Sequence, residues 1–198
     1  MAVAQVFPDK RLTAVQLDLP YRSERNYIHS ADIFQALTRL AKGRFASDAY
    51  VKSLMLRTTS TRQVYASFEP VENAFGKFSL GLGSNEVHGS LVESDENVLR
   101  RVPYDESVLE KAVIGVAPSA RFAAPVDGYT AFEHLLVLMK VTSSLGTREA
   151  WFCQVNLREP LLDSISIAVT FQYIIHGFAA FLVAQNERMI GSACATLR

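Results

Sequence analysis

Apolar positions along the chain fall in two helical stripes, each followed by a series of strand-like runs. The richer stripe lies in residues 128–146, GYTAFEHLLVLMKVTSSLG, with Phe132, Leu135, Leu136, Leu138, Met139 and Val141 at helical spacing. Thr130 followed by Glu133 has the form of a capping box, so the helix is predicted to start near Thr130 and to stop at Gly146. The second stripe, in residues 30–42, places Ile33, Phe34, Leu37, Leu40 and Ala41 together, with Gly43 as the predicted end.

Strand-like segments are read at 2–7, 12–19, 50–57, 63–71, 74–82 and 87–93, and almost continuously from 149 to 197. Pro20 and the charged run 22–25 make a loop, and Ser84-Asn85 suits a hairpin turn. Residues 164–186 carry no Asp, Glu, Lys or Arg and are long enough to span a bilayer. Gln172, His176 and Gly177 at their centre, with many β-branched and aromatic neighbours, predict two consecutive buried strands instead. The pattern thus predicts a buried helix with a curved antiparallel sheet wrapped round it.

A shift of about 101 residues lays the second half over the first. Asp32 falls on Glu133, Leu37 on Leu138, Tyr50 on Trp151, Arg57 on Arg158 and Gly76 on Gly177. The turn Asn85-Glu86 falls on Asn186-Glu187, and one inserted residue later Gly89-Ser90 meets Gly191-Ser192. The spacing predicts an internal duplication, each copy a helix and about four strands. The expected organisation is a first repeat over 1–92, a connector over 93–115 and a second repeat over 116–198. The connector is the most charged stretch; Ser107 with Glu110 predicts a short surface helix in it.

Composition narrows the function classes. Lys plus Arg and Asp plus Glu both number 20, so the formal net charge is zero, which argues against a nucleic-acid or anionic-membrane binder. Cys153 and Cys194 are the two cysteines and have no paired spacing, so neither a disulfide framework nor a metal site is expected. The N-terminal segment lacks a basic region followed by an apolar core, and a soluble cytoplasmic protein is expected. A G-x-S-x-G elbow is missing, and Gly81-Leu82-Gly83 is not followed by a predicted helix, so neither a serine-hydrolase elbow nor a dinucleotide loop is read.

A helix in the concave face of a curved antiparallel sheet, duplicated in one chain, resembles the double hotdog fold, an α+β pseudo-dimer. Gly128 followed five residues later by Glu133 resembles the start of the central helix in FabA/FabZ-type acyl-carrier-protein dehydratases, with Asp127 where those enzymes have proline. Their His-Phe-Pro motif is replaced by Arg121-Phe122-Ala123-Ala124-Pro125. Tyr129-Thr130-Ala131-Phe132-Glu133-His134-Leu135 and Ser53-Leu54-Met55-Leu56-Arg57 resemble hotdog acyl-CoA thioesterases of the mycobacterial type. The resemblance implies an enzyme acting on a thioester of coenzyme A or acyl carrier protein, without a metal or cofactor, its site lying where the two halves meet. Hydrolysis is the first expectation, dehydration of a 3-hydroxyacyl thioester the second, and a non-catalytic acyl-binding or partner subunit the third. A homodimer of pseudo-dimers is a further expectation.

The acids at the two helix starts carry the chemical expectation. Glu133 and Asp32 are candidates to activate water or attack a thioester carbonyl, with the helix N-terminus holding the oxyanion. His29, three residues before Asp32, and Tyr129, one turn before Glu133, complete the candidate catalytic set. Gly128, Tyr27 and His134 are the candidate substrate-binding residues. Because Gly128 leaves the second helix start open whereas Tyr27 crowds the first, the working site is expected on Glu133, completed by Tyr27 and His29. The competing structural readings are that Glu133 closes a capping box, that Asp32 is a first-turn acid favoured by the dipole, and that His134 is a core histidine.

Overall fold

The computed structural model describes residues 14–143 and 150–197. In chain order it contains β1 (Ala14–Gln16), β2 (Tyr21–Arg22), α1 (Ser30–Arg44), β3 (Tyr50–Leu56), β4 (Arg62–Ser67), β5 (Gly76–Leu82) and β6 (Asn85–Asn97). There follow β7 (Arg101–Val102), α2 (Glu106–Ala112), β8 (Val113–Val116), β9 (Ser119–Phe122) and α3 (Ala131–Ser143). The chain then forms β10 (Ala150–Leu157), β11 (Ile167–Ile175), β12 (Phe178–Gln185) and β13 (Arg188–Leu197). The predicted strand at 2–7, the start of that at 12–19 and the stop at Gly146 lie outside the described residues.

Eleven strands form one antiparallel sheet in the order β1-β4-β6-β5-β3-β10-β13-β12-β11-β9-β8. The halves join at its centre, where Gln154, Val155 and Asn156 pair with Met55, Leu54 and Ser53. Both helices bury their stripes against this sheet, and Phe34 of α1 stacks on Phe132 of α3 with ring centroids 4.1 Å apart. Buried side chains from both halves belong to one core. This is the double hotdog arrangement.

Each half is a helix followed by four strands, as the repeat predicts, but the halves are wired differently. In the second half β11, β12 and β13 form a meander, and β13 lies against β10. In the first half β5 lies against β3, while β6 returns between β5 and β4. The turns supply a physical reason. His176-Gly177 and Asn186-Glu187 all have positive φ, the conformation of tight two-residue hairpins that keep consecutive strands adjacent. Residues 68–75, which include Pro70, are too long for such a turn and release β5 to the far side of β6. The sequence overlay therefore slips at the last turn. The hairpin is made by Gly83-Ser84, whereas Asn85 and Glu86 already pair in β6.

Three further expectations are corrected. The first helix runs through Gly43 to Arg44 and ends where Phe45 turns back, its N–H donating to Ala41 O and its ring packing on Phe68. Helix α2 is capped by Asp105, which accepts from Ser107 N at 3.0 Å, and its Leu109 is fully buried, so the connector is part of the core rather than a solvated bridge. Residues 164–186 do form two strands, but the hairpin tip is exposed, with Tyr173 59% and Ile175 55% accessible. No helix among the described residues is long and apolar enough to cross a membrane.

Candidate functional site

A cavity of about 930 Å³ opens where the halves meet. One wall comes from the start of α1 (Tyr27, His29, Ser30, Ile33) and from residues 55–60, the end of β3 and the loop after it. The other comes from Leu136, Met139 and Lys140 of α3 and from the central strands β10 and β13. Tyr27 meets Trp151 across it, ring centroids 5.8 Å apart. The lining is mixed: Ile33, Leu136, Met139 and Phe152 supply apolar surface, and polar groups come from the α1 start, from residues 57–60 and from Glu106, Lys140 and Gln154.

The two helix starts differ in one respect that decides their chemistry. The first N–H groups of a helix lack intrahelical acceptors. At α3 they are occupied: Glu133 Oε2 accepts from Thr130 N and Oγ1, each at 2.7 Å, and Asp163 Oδ1 accepts from Ala131 N at 2.7 Å. The capping box read from Thr130 and Glu133 is therefore present. At α1 the N-cap residue is His29, whose side chain makes no capping hydrogen bond. The uncapped start is the one that borders the cavity.

Glu133 and Asp32 are both buried, and both point at Arg22. The guanidinium donates from Nε to Asp32 Oδ2 at 2.7 Å and from Nη2 to Asp32 Oδ1 at 2.8 Å, while Nη1 donates to Glu133 Oε1. Burial pulls the Arg22 pKa down, but the hydrogen bonds and charge of Asp32, with those of Glu133, outweigh it and hold the arginine above its ordinary value. Arg22 also lies over the Tyr104 ring, 4.5 Å from its centroid. Neither acid is among the described residues lining the cavity. The carboxylate of Glu133, where the working site was expected, closes a cap and an ion pair, and the cavity borders the other helix start.

The remaining candidates separate cleanly. Tyr27 and His29 line the cavity. Tyr129 turns away and donates its hydroxyl to Asp105 O at 2.6 Å. Gly128 is exposed at φ +83° and serves the turn before α3. His134, expected to bind substrate, lies in the core against Phe122, where its Nδ1 meets Thr130 O at 2.6 Å and its Nε2 accepts from Val126 N at 2.9 Å. Arg121, at the position expected for a dehydratase histidine, lies exposed on β9.

His29 differs from His134. Its Nδ1 is shielded from solvent and has no hydrogen-bond partner. Burial, and then the charges of Arg22 and Arg25, push its pKa well below the ordinary value, so the imidazole is neutral at neutral pH. Its ring packs on Tyr104 with centroids 5.6 Å apart. Cys153 also lines the cavity, but burial, followed by its contact with Cys194, pushes its thiol up to about 12, so a thiolate nucleophile is disfavoured. Among the described residues no group of three His, Cys, Asp or Glu side chains is placed to hold a metal ion.

Arg25 and Trp151, which line the cavity, and Arg22 and Tyr104, which pack beside the α1 start, were not singled out by sequence reasoning. Arginines in a charged loop read as solvated, and no local signal marks one of them for burial between two distant acids.

No family model matches the chain, and no curated protein matches it. Among solved structures it is similar to a TesB protein of Mycobacterium avium subsp. paratuberculosis, at 11% identity over 91% of each chain with a TM-score of 0.45. It is also similar to a 12:0-ACP thioesterase from Umbellularia californica, at 8% identity over 93% of this chain and 96% of that one, TM-score 0.46. A third is the dehydratase domain from the CurF module of curacin polyketide synthase, at 12% identity over 87% of this chain and 83% of that one, TM-score 0.43. The structural neighbours of this chain are thus hotdog-fold thioesterases and polyketide dehydratase domains.

Proposed function

We propose that the chain hydrolyses an acyl thioester in the cavity at the start of α1. The observation that carries this reading is an uncapped helix N-terminus beside a half-buried, neutral histidine, both bordering a cavity of mixed apolar and polar lining. In this reaction His29 takes a proton from water as the water oxygen bonds to the thioester carbon. The Ser30 N–H, at the cavity-bordering start of α1, stabilises the oxyanion that develops. Collapse of the tetrahedral intermediate breaks the carbon–sulfur bond, and the leaving thiolate regains the proton from His29. Acid and thiol are the products. Coenzyme A or an acyl carrier protein supplies the thiol.

Hydrolysis is favoured over dehydration because a dehydratase needs a protonated acid at the cavity, and both candidate acids are ion-paired to Arg22 outside it. Asp32 and Glu133 enter this proposal as anchors of Arg22. Release of free thiol from octanoyl-coenzyme A tests the reading, with 3-hydroxyacyl thioesters assayed in parallel for loss of water. His29→Gln is expected to lower turnover at least ~100-fold, the usual contribution of a positioned general base. Since the His29 pKa is lowered, turnover is expected to hold constant from pH 8 to pH 6.5 and to fall only at more acidic pH, as the ring protonates. Tight acyl binding without thiol release would identify a binding subunit instead.

A further inference from the structure

Tyr104 stands in the connector between the repeats, flanked by Pro103 and by Asp105, the N-cap of α2. One hydroxyl fixes its backbone from both sides: Ser23 Oγ accepts from Tyr104 N at 2.9 Å and donates to Tyr104 O at 2.8 Å. The parallel pairing of β2 with β7 holds the same two segments together. The connector is thereby brought against the segment that leads into α1.

There the Tyr104 ring meets four groups. The His29 and Tyr129 rings lie 5.6 Å and 6.0 Å from it, centroid to centroid, while Arg22 and Arg25 place Cζ 4.5 Å and 5.3 Å from the same centroid. Acids anchor both guanidiniums, Asp32 and Glu133 for Arg22 and Glu106 for Arg25, whose Nη2 donates to it at 2.6 Å. An aromatic face attracts cations, so the ring adds a second hold on each arginine. Burial, and then Glu106 and Glu133, raise the phenol above its ordinary value, so it adds no charge of its own at neutral pH.

We infer that Tyr104 is a positioning residue for His29: its ring shields the imidazole from water and seats two cations beside it. Both effects disfavour the imidazolium and keep the base free to accept a proton. The titratable groups around His29 are Arg22 and Arg25 before α1, Asp32 on its own helix, Tyr104 and Glu106 from the connector, and Glu133 and Lys140 from α3. Each acid among them is paired to an arginine, which mutes its pull on the imidazole. The use made of His29 rests on the proposed hydrolysis, but the contacts of Tyr104 do not.

The test follows the His29 ring protons by NMR through a pH titration, with His29→Gln identifying them among the four histidines. Tyr104→Leu is expected to raise the proton affinity of His29 at least about tenfold and to move the acid limb of thiol release toward neutrality. Tyr104→Phe is expected to leave both unchanged, because the ring makes the contacts. Leu109→Ala, which loosens the buried side of α2, is expected to lower stability without moving the titration. An unchanged His29 titration in Tyr104→Leu overturns the inference. So does an equal shift in Tyr104→Phe or in Leu109→Ala. If Tyr104→Leu does not fold, wild type decides by cross-relaxation between the His29 and Tyr104 rings: its presence supports the inference and its absence overturns it. A shifted titration in Tyr104→Leu with no thiol release by wild type supports the positioning and removes the hydrolytic reading.

Discussion

At the scale of single residues, Arg22 ties the two halves together. It joins an acid from each helix, so one guanidinium locks the two halves at their polar centre. Removing it leaves two buried carboxylates without a counter-charge. Arg22→Met is accordingly expected to cost about 3–5 kcal/mol, read by chemical denaturation at pH 7. Asp32→Asn in the Arg22→Met background should recover part of that loss, because one uncompensated charge disappears. If Arg22→Met melts like wild type, the buried network is not holding the halves together.

At the scale of elements, the two central helices share a face pattern and differ in their first turns. Helix α3 spends its free N–H groups on Thr130, Glu133 and Asp163, whereas α1 keeps its own uncapped beside the cavity. Caps stabilise, and in the proposed function the uncapped start of α1 gives up that stability for binding. Asp163→Ala is expected to lower stability by about 1 kcal/mol while leaving thiol release unchanged, since Asp163 lies outside the cavity. Thermal melts alongside the thiol assay check both halves of that statement. A large loss of turnover in this variant would return the working site to α3.

At the scale of the whole molecule, the sheet runs unbroken across the junction of β3 and β10, and the Phe34–Phe132 stack joins the helices beneath it. A shared core of this kind cannot be divided between two separately stable domains. Cleavage of the chain within residues 98–104 is expected to leave the two fragments associated through gel filtration and melting in one transition. Fragments that separate and remain folded would show two independent domains.

The helical stripes, the hairpin strands and the Thr130–Glu133 capping box are consequences of spacings a few residues long, so the sequence by itself determined them and, through them, the double hotdog architecture. His29 and Tyr27 were legible as site candidates because helix starts are local features. The rest depended on contacts between distant parts of the chain. Only the tertiary structure brings Arg22 to Glu133, 111 residues away, and so pairs the acids of both helix starts with one guanidinium. Only it shows that β5 and β6 are placed differently from β12 and β13, since a loop of eight residues and a two-residue turn follow strands of similar pattern. At the start of α3 the local capping box is joined by Asp163, which reaches Ala131 from 32 residues further along the chain. A cap made at that distance leaves no trace in the local spacing.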